Sequence, residues 1–189
     1  MRKAKLLWIV ILVLGLPACS SIPVTRVSVQ SFEFQKKGIE PKAGMTELLG
    51  VLVDRGFDVK MSNADAGIIT TEYKKFASAG DDPPFDYYMQ IRSKVRQDKD
   101  LTSIQLIPVL KEQNRLNAAA FTERELIYFT GDPENIEELD SMNAQSGWRV
   151  LGQVLFMNVV TDAAHAFGLS PDDVIQNVSR SPANARGIE

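Results

Sequence analysis

Residues 85–96 read FDYYMQIRSKVR, and their alternation decides the fold. Phe85, Tyr87, Met89, Ile91 and Val95 fall on one side, with Asp86, Tyr88, Gln90, Arg92, Lys94 and Arg96 on the other. A period of two sustained over this length predicts a strand with one face buried and the other wet, the pattern of an antiparallel sheet. On its C-terminal side Gln97 to Asp100 turns the chain, and Leu101 to Glu112 continues as a second strand through Ile104, Leu106 and Leu110. On its N-terminal side, Ala77 to Pro84 includes Gly80, Asp81, Asp82, Pro83 and Pro84, a turn that no sheet interior could hold.

Further toward the N-terminus the same period recurs. Phe57, Val59 and Met61 alternate with Asp58 and Lys60. Ser62 to Ala66 turns, and Gly67 to Phe76 alternates through Ile69, Thr71 and Tyr73. These read as the two strands of a hairpin. Before them, Met45, Leu48, Leu49, Leu52 and Val53 recur at spacings of three and four behind Pro41, which predicts a helix with one apolar stripe. Gly56 is placed to stop it in the left-handed conformation, and Phe57 to fold back on the stripe. Val24 to Phe34 reads as a first strand. Val27 and Val29 share a side with Phe32 and Phe34 only if a bulge lies near Gln30.

In the second half, Asn117 to Phe129 is read as a last strand. Asp132 and Pro133 open a short acidic helix to about Met142. The longest helix is expected from about Ala144 to Phe167, with Trp148, Leu151, Leu155, Val159, Ala163 and Ala166 as its stripe and Gly168 as its stop. Ser170, Pro171, Asp172 and Asp173 are expected to cap a further short helix to about Val178, leaving a flexible tail, 179–189. Runs of strands with helices at either end predict a single α+β domain over 25–178, an antiparallel sheet with two main helices on one face.

The extreme N-terminus is of another kind. Arg2, Lys3 and Lys5 precede an 11-residue apolar run, Leu6 to Leu16, that ends in Pro17, Ala18 and Cys19. A membrane-crossing helix needs roughly 20 residues, so this reads as a secretory signal, 1–18. Leu16-Pro17-Ala18-Cys19 resembles the lipobox of bacterial lipoproteins, although Pro17 stands where that pattern more often has a small or β-branched residue. The resemblance implies that Cys19 becomes the acylated first residue, followed by a short tether over 19–24. Cys19 is the only cysteine, so no intramolecular disulfide competes for it. Two or more acyl chains anchor a protein stably where one does not. Ser20 lacks the aspartate that, in the resembled class, marks retention at the inner membrane; the implied location is the periplasmic face of the outer membrane.

Loss of the signal leaves 171 residues, with 18 basic against 24 acidic, a net charge of −6. No run of five or six basic residues occurs, which argues against a nucleic-acid partner. Over Leu48 to Tyr73, an apolar helix ends in Gly56-Phe57 and leads through Val59 to Asp65-Ala66-Gly67-Ile68-Ile69-Thr70-Thr71-Glu72-Tyr73. This stretch, with the order of elements, resembles the helix-grip domains of the outer-membrane assembly lipoproteins BamC or NlpB, in which a curved sheet holds a long C-terminal helix. The family has two such domains, and this chain has room for one.

No constellation points to catalysis, a cofactor or a metal. His165 is the sole histidine, and a base or ligand needs partners. Asp81, Asp82 and Asp86 lack the spacing of a calcium loop, and Glu137 and Glu138, being adjacent, point in different directions around their helix. Exposed aromatics are the more useful signal. Tyr88 falls on the wet face of its strand, and Tyr73 and Phe76 fall on opposite faces of theirs. The first expectation is that the long helix covers that face. With the helix on the other face, Tyr73, Tyr88 and Trp148 become candidates for a partner-binding surface. The expected role is therefore that of a non-enzymatic accessory or scaffold in envelope assembly, joined to the membrane through Cys19 and to an envelope protein through its domain. The alternative is a carrier of an apolar ligand between sheet and helix, which requires a cavity of about 300 Å³ lined by such residues as Tyr87, Met89, Leu155 and Val159.

Overall fold

A computed structural model describes residues 25–79, 84–117, 119–130 and 147–182. The signal, Cys19, its tether and the acidic helix expected near 132–142 lie outside the described residues. The order is β1 (Thr25–Lys37), α1 (Pro41–Asp54), β2 (Val59–Asn63), β3 (Ile68–Thr71), β4 (Lys74–Ala79), β5 (Phe85–Asp98), β6 (Leu101–Asn114), β7 (Phe121–Arg124), β8 (Leu126–Thr130), α2 (Gly147–Ala166), a 3-10 turn (Pro171–Asp173) and β9 (Ile175–Pro182). The chain is an α+β fold: one antiparallel sheet with both helices packed on the same face.

β5 and β6 form the spine, paired along their whole length from Phe85↔Asn114 to Asp98↔Leu101 across a two-residue turn with Lys99 at φ 57°. Both flanks of this ribbon are filled by interrupted strands. β3 and β4 lie end to end along β5, broken at Glu72 and Tyr73. In the break, the Thr71 hydroxyl accepts the Ile91 N–H at 2.9 Å. On the other flank β1 pairs with the first half of β6 and then diverges, and β7 and β8 fill the fork. The bulge expected near Gln30 is present: the register shifts between Val29 and Ser31, and Val27, Val29, Phe32 and Phe34 are all buried on one face.

The core lies between this face and the helices. α1 buries Met45, Leu48 and Leu52; α2 buries Trp148, Phe156, Val159, Val160 and Ala163. Trp148 stacks on Tyr87 at 4.5 Å between ring centroids, Phe156 meets Phe32 edge-on at 5.5 Å, and Phe167 meets Phe34 at 5.4 Å. Large side chains buried in this way stabilise by about 1.5–3 kcal/mol each. Both helices stop as their glycines require. Gly56 (φ 71°) donates to the Val53 carbonyl while Phe57 N donates to Leu52, and Gly168 (φ 64°) donates to His165 while Leu169 N donates to Ala164. Both are Schellman closures.

Four local expectations are corrected. Asn117–Phe129 is not one strand, because the chain switches partner from β6 to β1 at Glu125. The strand expected through Gly67–Phe76 is broken at Glu72–Tyr73, and β4 runs on to Ala79, three residues into the segment read as a turn. Ser170 and Asp173 do form a reciprocal capping box, but it closes a single 3-10 turn. The next residues pair with β1 from Glu33↔Ile175 to Thr25↔Pro182, so the expected helix to Val178 and the start of the expected flexible tail are one strand. Unpaired backbone along β1 outweighs the helical signal there. Finally, Leu151 and Ala166 are exposed, and the stripe of α2 runs instead through Gly152 and Phe156, where Gly152 lets the helix approach Phe76.

One ion pair ties the helices together, Arg55 after α1 to Asp162 on α2. The Arg55 guanidinium, through its hydrogen bond, holds the Asp162 carboxyl below the usual carboxylate range, against the opposing pull of burial. A carboxyl depressed in the folded state contributes stability above its unfolded value, near pH 4, and loses it as pH falls. Asp162→Asn is therefore expected to flatten the fall of Tm between about pH 5 and 3, measured by circular dichroism.

Candidate functional site

The helices pack against the Tyr87, Met89 and Ile91 side of β5, so the first expectation for Tyr88 is overturned: α2 covers the opposite face. Trp148 is consequently corrected as a surface candidate, being 6% exposed against Tyr87 in the core. Tyr73 and Tyr88 do come together. Register explains it, since Tyr88 lies opposite Lys111 on the outer face. The Lys111 ammonium sits 5.4 Å from the Tyr88 ring centroid, 5.5 Å from that of Tyr73 and 4.9 Å from that of Phe121 on β7. Three rings presenting electron-rich faces hold the cation, with no carboxylate paired to it among the described residues.

Tyr73 reaches this point because it stands in the break between β3 and β4. Freed from the ladder, its side chain crosses β5 and β6, and its hydroxyl donates to Glu123 on β7 at 3.1 Å. Burial, and then the Glu123 carboxylate, push the phenol above its ordinary range. Arg92 approaches the same carboxylate, Nη2 to Oε1 at 3.7 Å. Arg92 is itself held from below. Gln90, 3% exposed, donates through Nε2 to the Thr71 carbonyl at 2.8 Å and accepts from Arg92 Nε at 2.9 Å. Together Lys60, Thr70, Tyr73, Gln90, Arg92, Lys111, Phe121 and Glu123 line a groove of about 290 Å³. A second cleft of about 280 Å³ opens at the β1/β6 fork and adjoins the first at Glu123.

The remaining candidates lie outside the groove, Asp86 at its margin, where it accepts from the Tyr88 hydroxyl at 3.5 Å. Asp86 is committed to Lys75 at 2.9 Å, Ser78 at 2.8 Å and Arg115 at 3.7 Å. Its burial raises the carboxyl, but these partners carry it below the ordinary range. Among the described residues no three acidic, histidine or cysteine side chains cluster as metal ligands. His165 is exposed in the last turn of α2. In the proposed carrier space, Tyr87, Met89 and Val159 are fully buried, and the two clefts described above are not between sheet and helix. Sequence reasoning missed Lys60, Arg92, Lys111, Phe121 and Glu123. The order of residues does not show that β3, β4 and β7 gather at the β5–β6 ribbon here, although the outward parity of Arg92 and Lys111 was readable.

No family model matches the sequence, and no curated protein matches it. Among solved structures, the fold is similar to a DUF4468 family protein from Bacteroides ovatus ATCC 8483, at 15% identity over 76% of this chain and 87% of that one, with a TM-score of 0.40. Among the described residues, no helix is long and apolar enough to cross a membrane.

Proposed function

We propose that this protein is a lipid-anchored, non-enzymatic accessory or scaffold of envelope assembly, held through Cys19 at the periplasmic face of the outer membrane, and that it docks a partner on the outer face of its sheet. One observation carries the docking surface: the helices take the inner face, leaving Tyr73, Tyr88 and Phe121 grouped around Lys111 on the other. Phe121 is 56% exposed beside Arg92 and the two tyrosines, and aromatic residues and arginine are enriched at protein interfaces. The anchor reading rests on the signal and the lipobox resemblance, and the likeness to BamC or NlpB supports the kind of role.

The test is residue-specific photo-crosslinking in intact cells. A crosslinker at Tyr88 or Phe121 is expected to give a discrete adduct that one at Val53, exposed on α1, does not. Adducts from Val53 alone would place the working surface on the helices and refute the assignment.

A further inference from the structure

The groove has a charge opposite to that of the molecule around it. Its lining holds Lys60, Arg92 and Lys111 against Glu123 alone, in a chain of net charge −3. Two of the three cations are fixed in place. Buried Gln90 grips Arg92 at Nε, which leaves the terminal nitrogens for other partners, Nη2 standing 3.7 Å from the Glu123 carboxylate. Such a fork matches a carboxylate, and pre-orientation lowers the entropic cost of binding one. Lys111 is fixed by its three rings, and neither it nor Lys60 forms an ion pair among the described residues.

Glu123 shows what the site accepts. Its carboxylate takes the Tyr73 hydroxyl at 3.1 Å and stands 3.7 Å from Arg92, too far for a hydrogen bond, with its side chain 54% exposed. It occupies the place of a ligand carboxylate and can be displaced from it. Beside the groove, β2 pairs only with β3 among the described strands, and all five of its residues are exposed. A groove that crosses the strands from Lys60 on β2 to Lys111 on β6 suits an extended chain whose side chains carry the charge. Exposed Phe121 and Met61 offer it apolar contact.

From this we infer that the outer-face groove binds an acidic peptide segment of a protein partner, with its Glu or Asp carboxylates received by Arg92, Lys111 and Lys60. The inference rests on the docking surface proposed above and adds the chemistry of the partner.

Fluorescence anisotropy on the full-length protein in detergent tests it, using a labelled Gly-Glu-Leu-Glu-Tyr-Glu-Gly peptide and its counterpart with Gln for each Glu. Saturable binding of the Glu peptide alone is expected. Arg92→Gln and Lys111→Gln should each weaken it about tenfold, as loss of a charge-assisted contact does. Lys94→Gln and Arg96→Gln, on the same face of the same strand but outside the groove, should change it less than about twofold. Glu123→Gln should tighten it several-fold, a gain that misfolding cannot mimic. Equal binding of the Gln peptide, equal losses from Lys94→Gln and Arg92→Gln, or no gain from Glu123→Gln would each overturn the inference. Tighter binding of inorganic polyphosphate than of the Glu peptide would overturn it too. Absence of peptide binding with crosslinks from Tyr88 and Phe121 intact removes only the acidic peptide; absence of those crosslinks removes the docking surface as well.

Discussion

Gly67→Ala is expected to destabilise the domain by about 3 kcal/mol or more, since it adds a methyl group at a buried left-handed position. Gly67 closes the β2–β3 hairpin at φ 64°, donating to the Ala64 carbonyl at 3.3 Å and accepting the Val95 N–H at 2.7 Å. A Cβ there would stand 2.0 Å from the Val95 carbonyl oxygen, which is backbone of the central strand β5 and cannot swing aside. The left-handed conformation alone costs an L-residue about 1–2 kcal/mol. Gly38 separates the two effects, since its φ is 76° and a Cβ added there meets nothing within 4 Å. Gly38→Ala should therefore cost only about 1 kcal/mol. Urea unfolding followed by tryptophan fluorescence measures both, Trp148 being stacked in the core. Equal costs at the two glycines would show that the hairpin does not seat on β5 as described.

The second large effect is on location. Cys19→Ser is expected to move the protein from the membrane pellet to the soluble fraction. The reason is arithmetic. The 11-residue apolar run is about half a membrane span, and no helix among the described residues replaces it. Two or more acyl chains on one sulfur and its amine would then be the whole of the membrane affinity, at about 0.8 kcal/mol per buried CH₂. Fractionation of wild type and variant, with mass spectrometry of the mature N-terminus, checks this. Retention of the variant on membranes, or an unacylated Cys19, would remove the anchor.

How much of this was open to reading depends on the range of the signal. Strict alternation over Phe85–Arg96, the α1 stripe through Met45, Leu48 and Leu52, and the glycine stops at Gly56 and Gly168 are local and form where the residues predict them, while Val53, expected on that stripe, is exposed. The bulge at Gln30 was legible because only a parity change puts Val27, Val29, Phe32 and Phe34 on one side. By contrast, Ile175–Pro182 is a strand because β1 leaves it an edge to pair with, and that is a property of distant chain. The site lies between these cases. Tyr88 was identifiable as outward-facing, and a two-residue turn at Lys99-Asp100 would set it opposite Lys111. Tyr73 and Phe121 join them only because β4 follows β3 along β5, and β7 enters the fork that β1 leaves. Trp148 was misjudged since helical spacing gives a stripe but not its partner; Tyr87 is what buries it.

The central claim, that the outer face of the sheet is the working surface, is tested most directly by lysine protection in whole cells. Amine acylation followed by quantitative mass spectrometry compares each lysine in the intact envelope with the same lysine in purified protein. The account predicts that Lys60 and Lys111 are shielded in the envelope while Lys42 and Lys99, away from the groove, react as in the purified protein. Equal reactivity of Lys60 and Lys111 in the two settings would contradict it.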